Sequence, residues 1–405
     1  MNILITGLCL QGNKGGAALA QSLKDVLQQE FPGADFIYSV PVPEFTQEKI
    51  WGKKLGMDVV RKISIKDFVP PWCFKRSSRH KRKAFMRALR SSDLIVDMTA
   101  LTYVGPPKGT ALGSLQTRFL YFLLAKLTRK PFLAWTQTYG PFSSVMMRLM
   151  ARSDLARQPI VFCRGQDCER TVRGLLPGKK TRVYPDVACA LPYNSAEGGS
   201  LLMKWGCADT NLKVASLSPS AVLYKSTAGQ GSENMHVRFC EQIYRLLKRR
   251  GYTVILIPHT YRPSNTDPDS CDKAVCDLVK GKLSPERVEI VDEDLSASEL
   301  KSIISNMTIH IGGRYHSIIA ALSSSVPCIS LSWHTKYGDA MEFYGIGDFV
   351  LRADETLNES NTERLLDKIE HKHIELRQML ASKQADVRES IKENAQIFAT
   401  IYRNL

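Results

Sequence analysis

Residues 310–346 read HIGGRYHSIIAALSSSVPCISLSWHTKYGDAMEFYGI and contain the pattern that decides the fold. The apolar residues predict a strand at 307–313, a helix at 315–324 and a second strand at 326–332. Two strands joined by a helix in this way form a βαβ unit, whose parallel sheet is buried on both faces. Four cationic or titratable side chains stand at the edges of this unit: Arg314, His316, His334 and Lys336.

The same alternation of strands and helices extends through both halves of the chain. In the first half it predicts strands at 2–8, 93–98, 131–140, 159–165 and 181–191, and helices at 17–31 and 114–129. After the polar, glycine-bearing stretch 192–200, it predicts strands at 212–218, 252–259 and 287–292, and helices at 235–251, 272–281 and 296–306.

These patterns predict an α/β protein with two doubly wound, Rossmann-like domains that face one cleft. We expect the first domain at 1–192 and the second at 200–360. The helical segment 361–405 is expected to pack back on the first domain.

The composition is that of a globular chain with basic surfaces. Of 405 residues, 44% are hydrophobic and 23% charged, and the net charge is +15. A positive balance favours anionic partners, among them phosphorylated metabolites, charged glycans, acidic membranes and nucleic acid. Eight Lys or Arg lie within 75–90, which is either a solvated helix or a patch that faces phosphates or a membrane. Nucleic acid is not expected, since the stretch has one aromatic residue and no recognised motif.

The cysteine pattern and the N-terminus indicate the compartment. Ten cysteines are scattered without a CxxC pair, which predicts buried free thiols rather than disulfides or a zinc site. The N-terminal residues read as a first strand and not as a signal peptide. The most lipid-like stretch, 119–127, is too short for a membrane span. We therefore expect a cytoplasmic protein, with a peripheral contact at the inner face of the membrane through 75–90 as one alternative.

Polar residues cluster where the strands of the second half end. Ligands of doubly wound sheets bind outside the carboxyl ends of the strands, which is where Arg314 and Lys336 are expected. Gly312 and Gly313 would allow a close backbone approach, and Arg314 can fork onto a phosphate or carboxylate. His316 could transfer a proton near neutral pH. With His334 and Lys336 on the next strand end, the set predicts an anion site.

The first half offers weaker candidates. Arg164 ends a predicted strand and could reach a ligand, although considered alone it reads as a surface arginine. The loop QGNKGG at 11–16 would suit a phosphate or a sugar but matches neither nucleotide-binding fingerprint. Asp186 reads as a helix cap or a partner of sugar hydroxyls. No metal-ligand spacing is present, so no metal is expected.

Taken in order, these motifs resemble the polysaccharide pyruvyl transferase family, whose members move the pyruvyl group of phosphoenolpyruvate onto sugar hydroxyls as a ketal. That family has a fold like the GT-B glycosyltransferases. The resemblance spans residues 1 to about 350 and rests on GNKGG (12–16), QTYGPF (137–142), CRGQDCERTVRG (163–174), YPDVA (184–188), GGRYHSIIAAL (312–322) and VPCISLSWHTKYG (326–338).

The resemblance implies a role for each candidate residue. The catalytic residues would be His316, Lys336 and Arg164, with His316 as general acid and base. The donor phosphoenolpyruvate would be bound by Arg314, Gly312, Gly313 and His334. The acceptor, a sugar, a glycan or a lipid-linked glycan, would be bound by Gly12, Asn13, Gly15 and Asp186. No cofactor is implied beyond phosphoenolpyruvate as co-substrate, and no metal is needed because Arg and Lys can neutralise the departing phosphate.

Three departures from the family pattern lie in the first half. Gly16 stands where an acidic residue is common, a usual glycine cluster reads DMTALTYVG at 97–105, and Arg164 is followed by Gly165 rather than Asp. The donor assignment is therefore firmer than the acceptor assignment. Two alternatives stay open: a GT-B glycosyltransferase that uses a nucleotide sugar, and a non-catalytic protein that binds polyanions or a membrane surface.

Overall fold

The computed structural model describes residues 1–40, 45–104, 117–207, 213–352 and 358–405. The chain forms two α/β units, each assembled from separate segments. The first unit comprises Met1–Gln11, Leu19–Val187 and Ser390–Leu405, and the second comprises Gly12–Ala18 and Ala188–Glu389. Parts of three sequence predictions lie outside the described residues. They are the start of the predicted helix 114–129, the start of the predicted strand 212–218 and the last residue of the motif at 97–105.

The first unit is built around a parallel sheet. Its strands are β1 (Asn2–Thr6), β2 (Asp35–Val40), β3 (Asp58–Arg61), β4 (Leu94–Asp97), β5 (Leu101–Thr102), β6 (Phe132–Ala134), β7 (Thr138–Tyr139), β8 (Val161–Cys163) and β9 (Thr181–Val183). Its helices are α1 (Lys14–Glu30), α2 (Phe45–Lys54), α3 (Arg76–Ser91), α4 (Thr117–Leu127), α5 (Val145–Leu155) and α6 (Gln166–Leu175), the residues of α1 up to Ala18 being counted with the second unit.

The five-stranded sheet of this unit has the order β3-β2-β1-β4-β6, and β5-β7 and β8-β9 form two separate parallel pairs. Strand β4 is buried along its whole length, as expected for a strand covered on both faces. The single strand predicted at 131–140 is wrong, because the chain forms β6 and β7, which pair with β4 and β5 respectively.

The second unit repeats the arrangement with six strands. They are β10 (Val214–Ser218), β11 (Thr253–Leu256), β12 (Glu289–Ile290), β13 (Ile309–Gly312), β14 (Cys328–Ser332) and β15 (Val350–Arg352). Its helices are α7 (Ser195–Leu202), α8 (Ala221–Ser226), α9 (Met235–Arg249), α10 (Asp272–Leu283), α11 (Ala297–Ile304), α12 (Tyr315–Ser323), α13 (Lys336–Phe343), α14 (Glu359–His371) and α15 (His373–Arg403), which continues into the first unit.

All six strands run parallel in the order β12-β11-β10-β13-β14-β15. This is the doubly wound order, and its direction reverses between β10 and β13. The predicted βαβ unit of β13, α12 and β14 is confirmed. Because ligands of such sheets bind where the order reverses, a ligand is expected at the carboxyl ends of β10 and β13.

A helix occupies the stretch that the polar composition marked as a domain boundary. The Asn194 side chain accepts hydrogen bonds from the backbone of Ala196 and Glu197 and so caps α7. A Cβ on Gly198 would overlap the backbone of Ser302 in α11. Gly198 therefore serves close helix packing, a short distance after the second unit resumes at Ala188.

All ten cysteines lie among the described residues, none of them forms a disulfide, and all but Cys9 are buried, which confirms the prediction of buried thiols. The end of α15 packs inside the first unit, where Phe398 lies 5.1 Å from Trp135, measured between ring centroids. In the described part of the chain, no helix combines the length and apolar composition that a membrane span requires.

Candidate functional site

The candidate site of the second unit lies at the carboxyl ends of β10, β13 and β14. Gly312 is the last residue of β13 and is in register with Ser218 on one side and Ser330 on the other. The next backbone N–H, that of Gly313, donates to the carbonyl of Ser218 at 2.9 Å. The loop that carries Arg314 and His316 is therefore anchored where the strand order reverses.

The two glycines of this loop make room for the protein's own side chains. A Cβ on Gly312 would lie 2.6 Å from Nε2 of His310, and one on Gly313 would lie 2.8 Å from the side chain of Leu223. A larger residue at either position would force these neighbours apart. Contact of Gly312 and Gly313 with a donor stays a prediction.

His310 ties β13 to its neighbours and is buried. Its Nδ1 lies 2.8 Å from Oγ of Ser216, and its Nε2 lies 2.9 Å from Oγ of Ser317. Since Ser317 already donates to the carbonyl of Arg314 at 2.8 Å, Nε2 of His310 carries the proton that Ser317 accepts. Burial lowers the pKa of His310 to about 3, so this ring is neutral and structural.

Arg314 is held by a carboxylate that the sequence motifs did not indicate. Its Nε and Nη2 donate to Asp272 at 2.6–2.9 Å, and only 19% of the Arg314 side chain is exposed. Asp272 also accepts from the backbone N–H groups of Ala221, at 2.8 Å, and Thr260, at 2.7 Å. Burial alone would lower the pKa of Arg314, but Asp272 raises it above its ordinary value. The guanidinium is thus fixed in orientation and remains charged.

Lys336 is placed by a cage of aromatic rings. Its Nζ lies 4.5 Å from the ring centroid of Trp333, 5.2 Å from that of Tyr315 and 5.7 Å from that of Tyr337. The negative faces of such rings attract an ammonium and restrict its position. The Tyr337 hydroxyl donates to the carbonyl of Gly313 at 2.9 Å, which joins the loops after β13 and β14. The predicted meeting of these two loops is confirmed.

His334 contributes to the start of α13. Its Nδ1 accepts a hydrogen bond from the backbone N–H of Lys336 at 3.2 Å, and its carbonyl accepts one from Ser332 at 2.9 Å. The ring therefore helps to satisfy the first turn of the helix that carries Lys336. A direct contact of His334 with a donor stays a prediction.

The loop motif GNKGG belongs to the second unit, which corrects its expected place in the first domain. The backbone N–H of Lys14 donates to the carbonyl of His259 at 2.9 Å, and Asn13 forms a bridge with Thr260. Helix α1 begins at Lys14, three residues earlier than predicted. The motif therefore lies beside His316, although an acceptor contact of Gly12, Asn13 and Gly15 stays a prediction.

Gly15 lies against the ring of His316. A Cβ at Gly15 would overlap Nδ1 of His316 and lie 2.7 Å from its Cγ. The backbone conformation of Gly15 is helical and does not itself require glycine. The glycine is needed because the imidazole occupies the space that any side chain would fill.

A cavity of about 10 Å³ adjoins His316 and has room for about one water molecule. Three further nitrogen-bearing side chains line it: Lys14, His259 and Lys301. Lys301 is buried and donates to the carbonyls of Leu191, at 2.8 Å, and Cys189, at 3.3 Å. Burial lowers the pKa of Lys301 to about 7 and that of His259 to about 4. Only the fold brings these two residues to the cavity beside His316.

Replacement of Gly15 by Ala is expected to lower catalytic activity about 10²-fold, because the new Cβ must displace the imidazole of His316. Helix propensity alone predicts the opposite tendency, since Ala stabilises a helix relative to Gly by about 0.5–1 kcal/mol. Steady-state turnover of the Gly15→Ala variant, compared with its urea unfolding midpoint, separates the two effects.

Gly281→Ala is the matched control for this change. Gly281 also lies in a helix of the second unit, but a Cβ there would meet no atom within 4 Å. This control should keep full activity with equal or higher stability. Equal activity of the Gly15→Ala variant and the wild type would show that the position of His316 does not matter.

Arg164 and Asp186 lie in the first unit and pair with each other at 2.5 Å. Arg164 also donates to Oγ1 of Thr138 at 3.1 Å and to the carbonyl of Ala100 at 2.8 Å. The interpretation of Arg164 as a surface arginine is wrong, because the residue is buried. Its convergence with Arg314, His316 and Lys336 on one ligand stays a prediction, as does an acceptor role for Asp186.

Sequence reasoning missed a buried ionic network in the first unit. Arg118 pairs with Asp97 and, at 2.6 Å, with Asp154, and all three side chains are buried. Tyr103 donates to Asp154 at 2.5 Å, and Gln137 donates to Asp97 at 3.0 Å. The sequence does contain one indication of this network, because Arg118 is the single arginine in the apolar helix TRFLYFLLAKL. Among the described residues, no group of three His, Cys, Asp or Glu could hold a metal ion.

Solved structures with the same fold are distant in sequence. HepE of Anabaena, solved with UDP, is 13% identical over 100% of both chains, with a TM-score of 0.61. MnaA of S. aureus, also solved with UDP, is 13% identical over 93% of this chain and 90% of that one, with a TM-score of 0.57. The UDP-GlcNAc 2-epimerase of Neisseria meningitidis, bound to UDP-GlcNAc, is 11% identical over 97% and 100%, with a TM-score of 0.56. The fold is therefore GT-B-like, as expected.

Comparisons of the amino-acid sequence identify a family. The family model described as polysaccharide pyruvyl transferase matches residues 13–335. Comparison with curated protein sequences produced no match. The matched range begins at Asn13 and ends at Thr335, so it includes the Gly15–His316 contact and the loop of Arg314.

Proposed function

The chain belongs to the polysaccharide pyruvyl transferase family, and on that premise we propose that it moves the pyruvyl group of phosphoenolpyruvate onto two hydroxyls of a glycan as a cyclic ketal. The acceptor would be a polysaccharide or its precursor, free or lipid-linked. The observation that supports this proposal is the hydrogen bond from Tyr337 to Gly313, which joins the loop that carries Arg314 to the segment that carries Lys336.

The charges of this cluster suit the proposed donor. Phosphoenolpyruvate carries a phosphate and a carboxylate, and a fixed guanidinium and a caged ammonium are complementary to such groups. We assign the recognition of these groups to Arg314 and Lys336. Asp272 offsets part of the positive charge of Arg314 and fixes its orientation. Recognition of the donor would therefore depend on the direction of the guanidinium as well as on its charge.

In the proposed reaction, protonated His316 donates a proton to the methylene carbon of phosphoenolpyruvate, and the electron pair of the C=C bond forms the new C–H bond. A sugar hydroxyl then attacks the cationic C2 and returns its proton to His316. The C2–O bond to phosphate breaks, and the electron pair leaves with the phosphate. The second hydroxyl attacks C2 and loses its proton to the phosphate, which closes the ketal.

We propose that cationic side chains, rather than a metal ion, neutralise the departing phosphate. We assign this role to Lys336, and Arg164 stays a predicted third cation. The free thiols of all ten cysteines are typical of a reducing compartment, which supports the expected cytoplasmic location.

The direct test incubates the purified protein with phosphoenolpyruvate and candidate glycans. Release of inorganic phosphate should depend on the glycan, and the product should gain about 70 Da, the mass of pyruvic acid less water. Thermal shifts with phosphoenolpyruvate and with nucleotide sugars separate the proposal from a GT-B glycosyltransferase. Stabilisation by a nucleotide sugar alone would assign the chain to the alternative.

Replacement of Lys336 by Met is expected to lower the rate of phosphate release about 10²–10³-fold, because the charge that develops on the phosphate would lose its partner. Lys225→Met provides the control, since Lys225 is 68% exposed in the same unit. The control should leave turnover unchanged. Normal turnover without the Lys336 ammonium would remove the residue from the mechanism.

A further inference from the structure

Most of the positive charge of the protein lies in one segment of the first unit. Residues 45–90 contain fourteen Lys or Arg and three Asp or Glu, a net charge of +11 out of +15 for the whole chain. We call this segment the basic surface. Neither the proposed transfer reaction nor the candidate site uses it.

Helix α3 arranges its cations in one stripe. Its exposed basic residues fall at spacings of three, four or seven, which is one side of a helix: Arg76, Arg79, His80, Lys83, Arg87 and Arg90. The opposite side is buried through Ser78, Phe85, Ala88 and Leu89. The apolar side fixes the helix on the unit, and the cationic stripe faces solvent.

The acidic residues of the basic surface hardly offset these cations. Glu48 is buried and accepts a hydrogen bond from the backbone N–H of Leu10 at 2.6 Å. Asp67 is buried as well and pairs with Lys81 at 2.7 Å. Asp58 is the remaining acid and is exposed. Eleven Lys or Arg of the segment are exposed, so its solvent-exposed charge is strongly positive.

Three exposed aromatic side chains lie on the segment that leads into α3. The exposed fraction is 36% for Phe68, 40% for Trp72 and 65% for Phe74. Two short helical turns, Ile65–Asp67 and Trp72–Phe74, precede α3. Phe68 directly follows the first turn, and Trp72 and Phe74 belong to the second. The backbone carbonyl of Asp67 accepts from Arg82, whose guanidinium lies 5.7 Å from the ring of Phe68, so α3 holds this segment in place.

We propose that the basic surface docks the protein onto an anionic membrane, with the cations of α3 on lipid phosphates and Trp72 and Phe74 in the interfacial layer. Basic residues near a bilayer are attracted by anionic lipids, and aromatic side chains favour the boundary between water and acyl chains. A soluble polyanion bound through charge alone would use the cations but not the exposed aromatics. The inference does not depend on the transfer reaction.

Flotation with lipid vesicles tests the proposal. The full chain should float with vesicles of equal parts phosphatidylcholine and phosphatidylglycerol, and not with phosphatidylcholine alone. Binding should fall as salt is added, because surface charges are screened. Failure to float with the anionic vesicles would overturn the proposal whatever the catalytic activity.

Two sets of variants separate the cations from the aromatics. Arg79→Ala with Lys83→Ala should weaken vesicle binding about 25-fold, or about fivefold for each cation. Phe74→Ala should weaken binding severalfold at every salt concentration, since its contribution is not electrostatic. Circular dichroism of each variant should match the wild type, because the replaced side chains are exposed.

Each variant has a matched control in the same unit. Arg170→Ala with Arg173→Ala removes the same charge from residues whose side chains are 76% and 60% exposed, and Leu149→Ala removes an apolar side chain that is 63% exposed. Both controls should bind like the wild type. If the test pair and the control pair weaken vesicle binding equally, binding depends on net charge alone. If the cation variants weaken binding and Phe74→Ala has no effect, the segment is a polyanion site instead. Either result overturns membrane docking.

Discussion

Replacement of His316 by Gln is expected to reduce phosphate release from phosphoenolpyruvate about 10²–10⁴-fold, the usual contribution of a positioned general acid or base. Gln keeps a polar side chain of similar reach but cannot protonate the methylene carbon. Because Arg314 and Lys336 are unchanged, the variant should still bind phosphoenolpyruvate with an affinity near that of the wild type. Single-turnover phosphate release and equilibrium binding measure the two quantities separately.

His371→Gln controls for the loss of a histidine. His371 is exposed at the end of α14, where its ring bonds to the carbonyl of Asp367 at 2.7 Å. This control should retain full activity. Undiminished turnover of the His316→Gln variant would remove His316 from the chemistry, and loss of binding in that variant would assign His316 to substrate recognition instead.

Replacement of Asp272 by Ala is expected to lower the free energy of unfolding by about 3–5 kcal/mol. The change would leave the guanidinium of Arg314 without its carboxylate and the N–H groups of Ala221 and Thr260 without their acceptor. These groups are held by a carboxylate that is completely buried. Urea denaturation of the variant measures the loss of stability, and binding of phosphoenolpyruvate measures the loss of orientation at Arg314.

Asp277→Ala is the control on the same helix. Asp277 pairs with Lys273 at 2.6 Å, but its side chain is 53% exposed, so its removal should change stability by less than about 1 kcal/mol. A denaturation midpoint for the Asp272→Ala variant equal to that of this control would show that the buried pair does not stabilise the unit. Asp272→Asn should be intermediate in stability, since an amide keeps one acceptor oxygen but loses the charge.

The fold could be predicted because its determinants are periodic and local. The runs that became β10, β13 and β14 are short, apolar and separated by helices, and such runs fold into parallel sheets with both faces covered. The same rule places strand ends on one edge of the sheet, which is why Arg314, His316, His334 and Lys336 could be expected near one another. The bond between Tyr337 and Gly313 joins the two loops that carry these residues, and a common ligand for the four side chains stays a prediction.

The stretch 11–16 was misread as a loop because glycine has more than one use. Gly15 instead lies in the first turn of α1 against His316, and at the predicted boundary 192–200 Gly198 lies in α7 against α11. The residues that flank a glycine do not show whether it makes room for a distant side chain or forms a turn.

The amino-acid sequence by itself determined the α/β class, the parallel strand pattern, the family and the cationic strand ends, because each depends on residues close together in the chain. Only the tertiary structure decided that Asp272 holds Arg314, that three aromatic rings surround Lys336, that Gly15 meets His316, and that Arg118 is buried between two aspartates. The partners in several of these contacts are tens to hundreds of residues apart in the chain, and their pairing depends on which surfaces the packed elements bring together. Periodicity predicts the elements, whereas packing determines their partners.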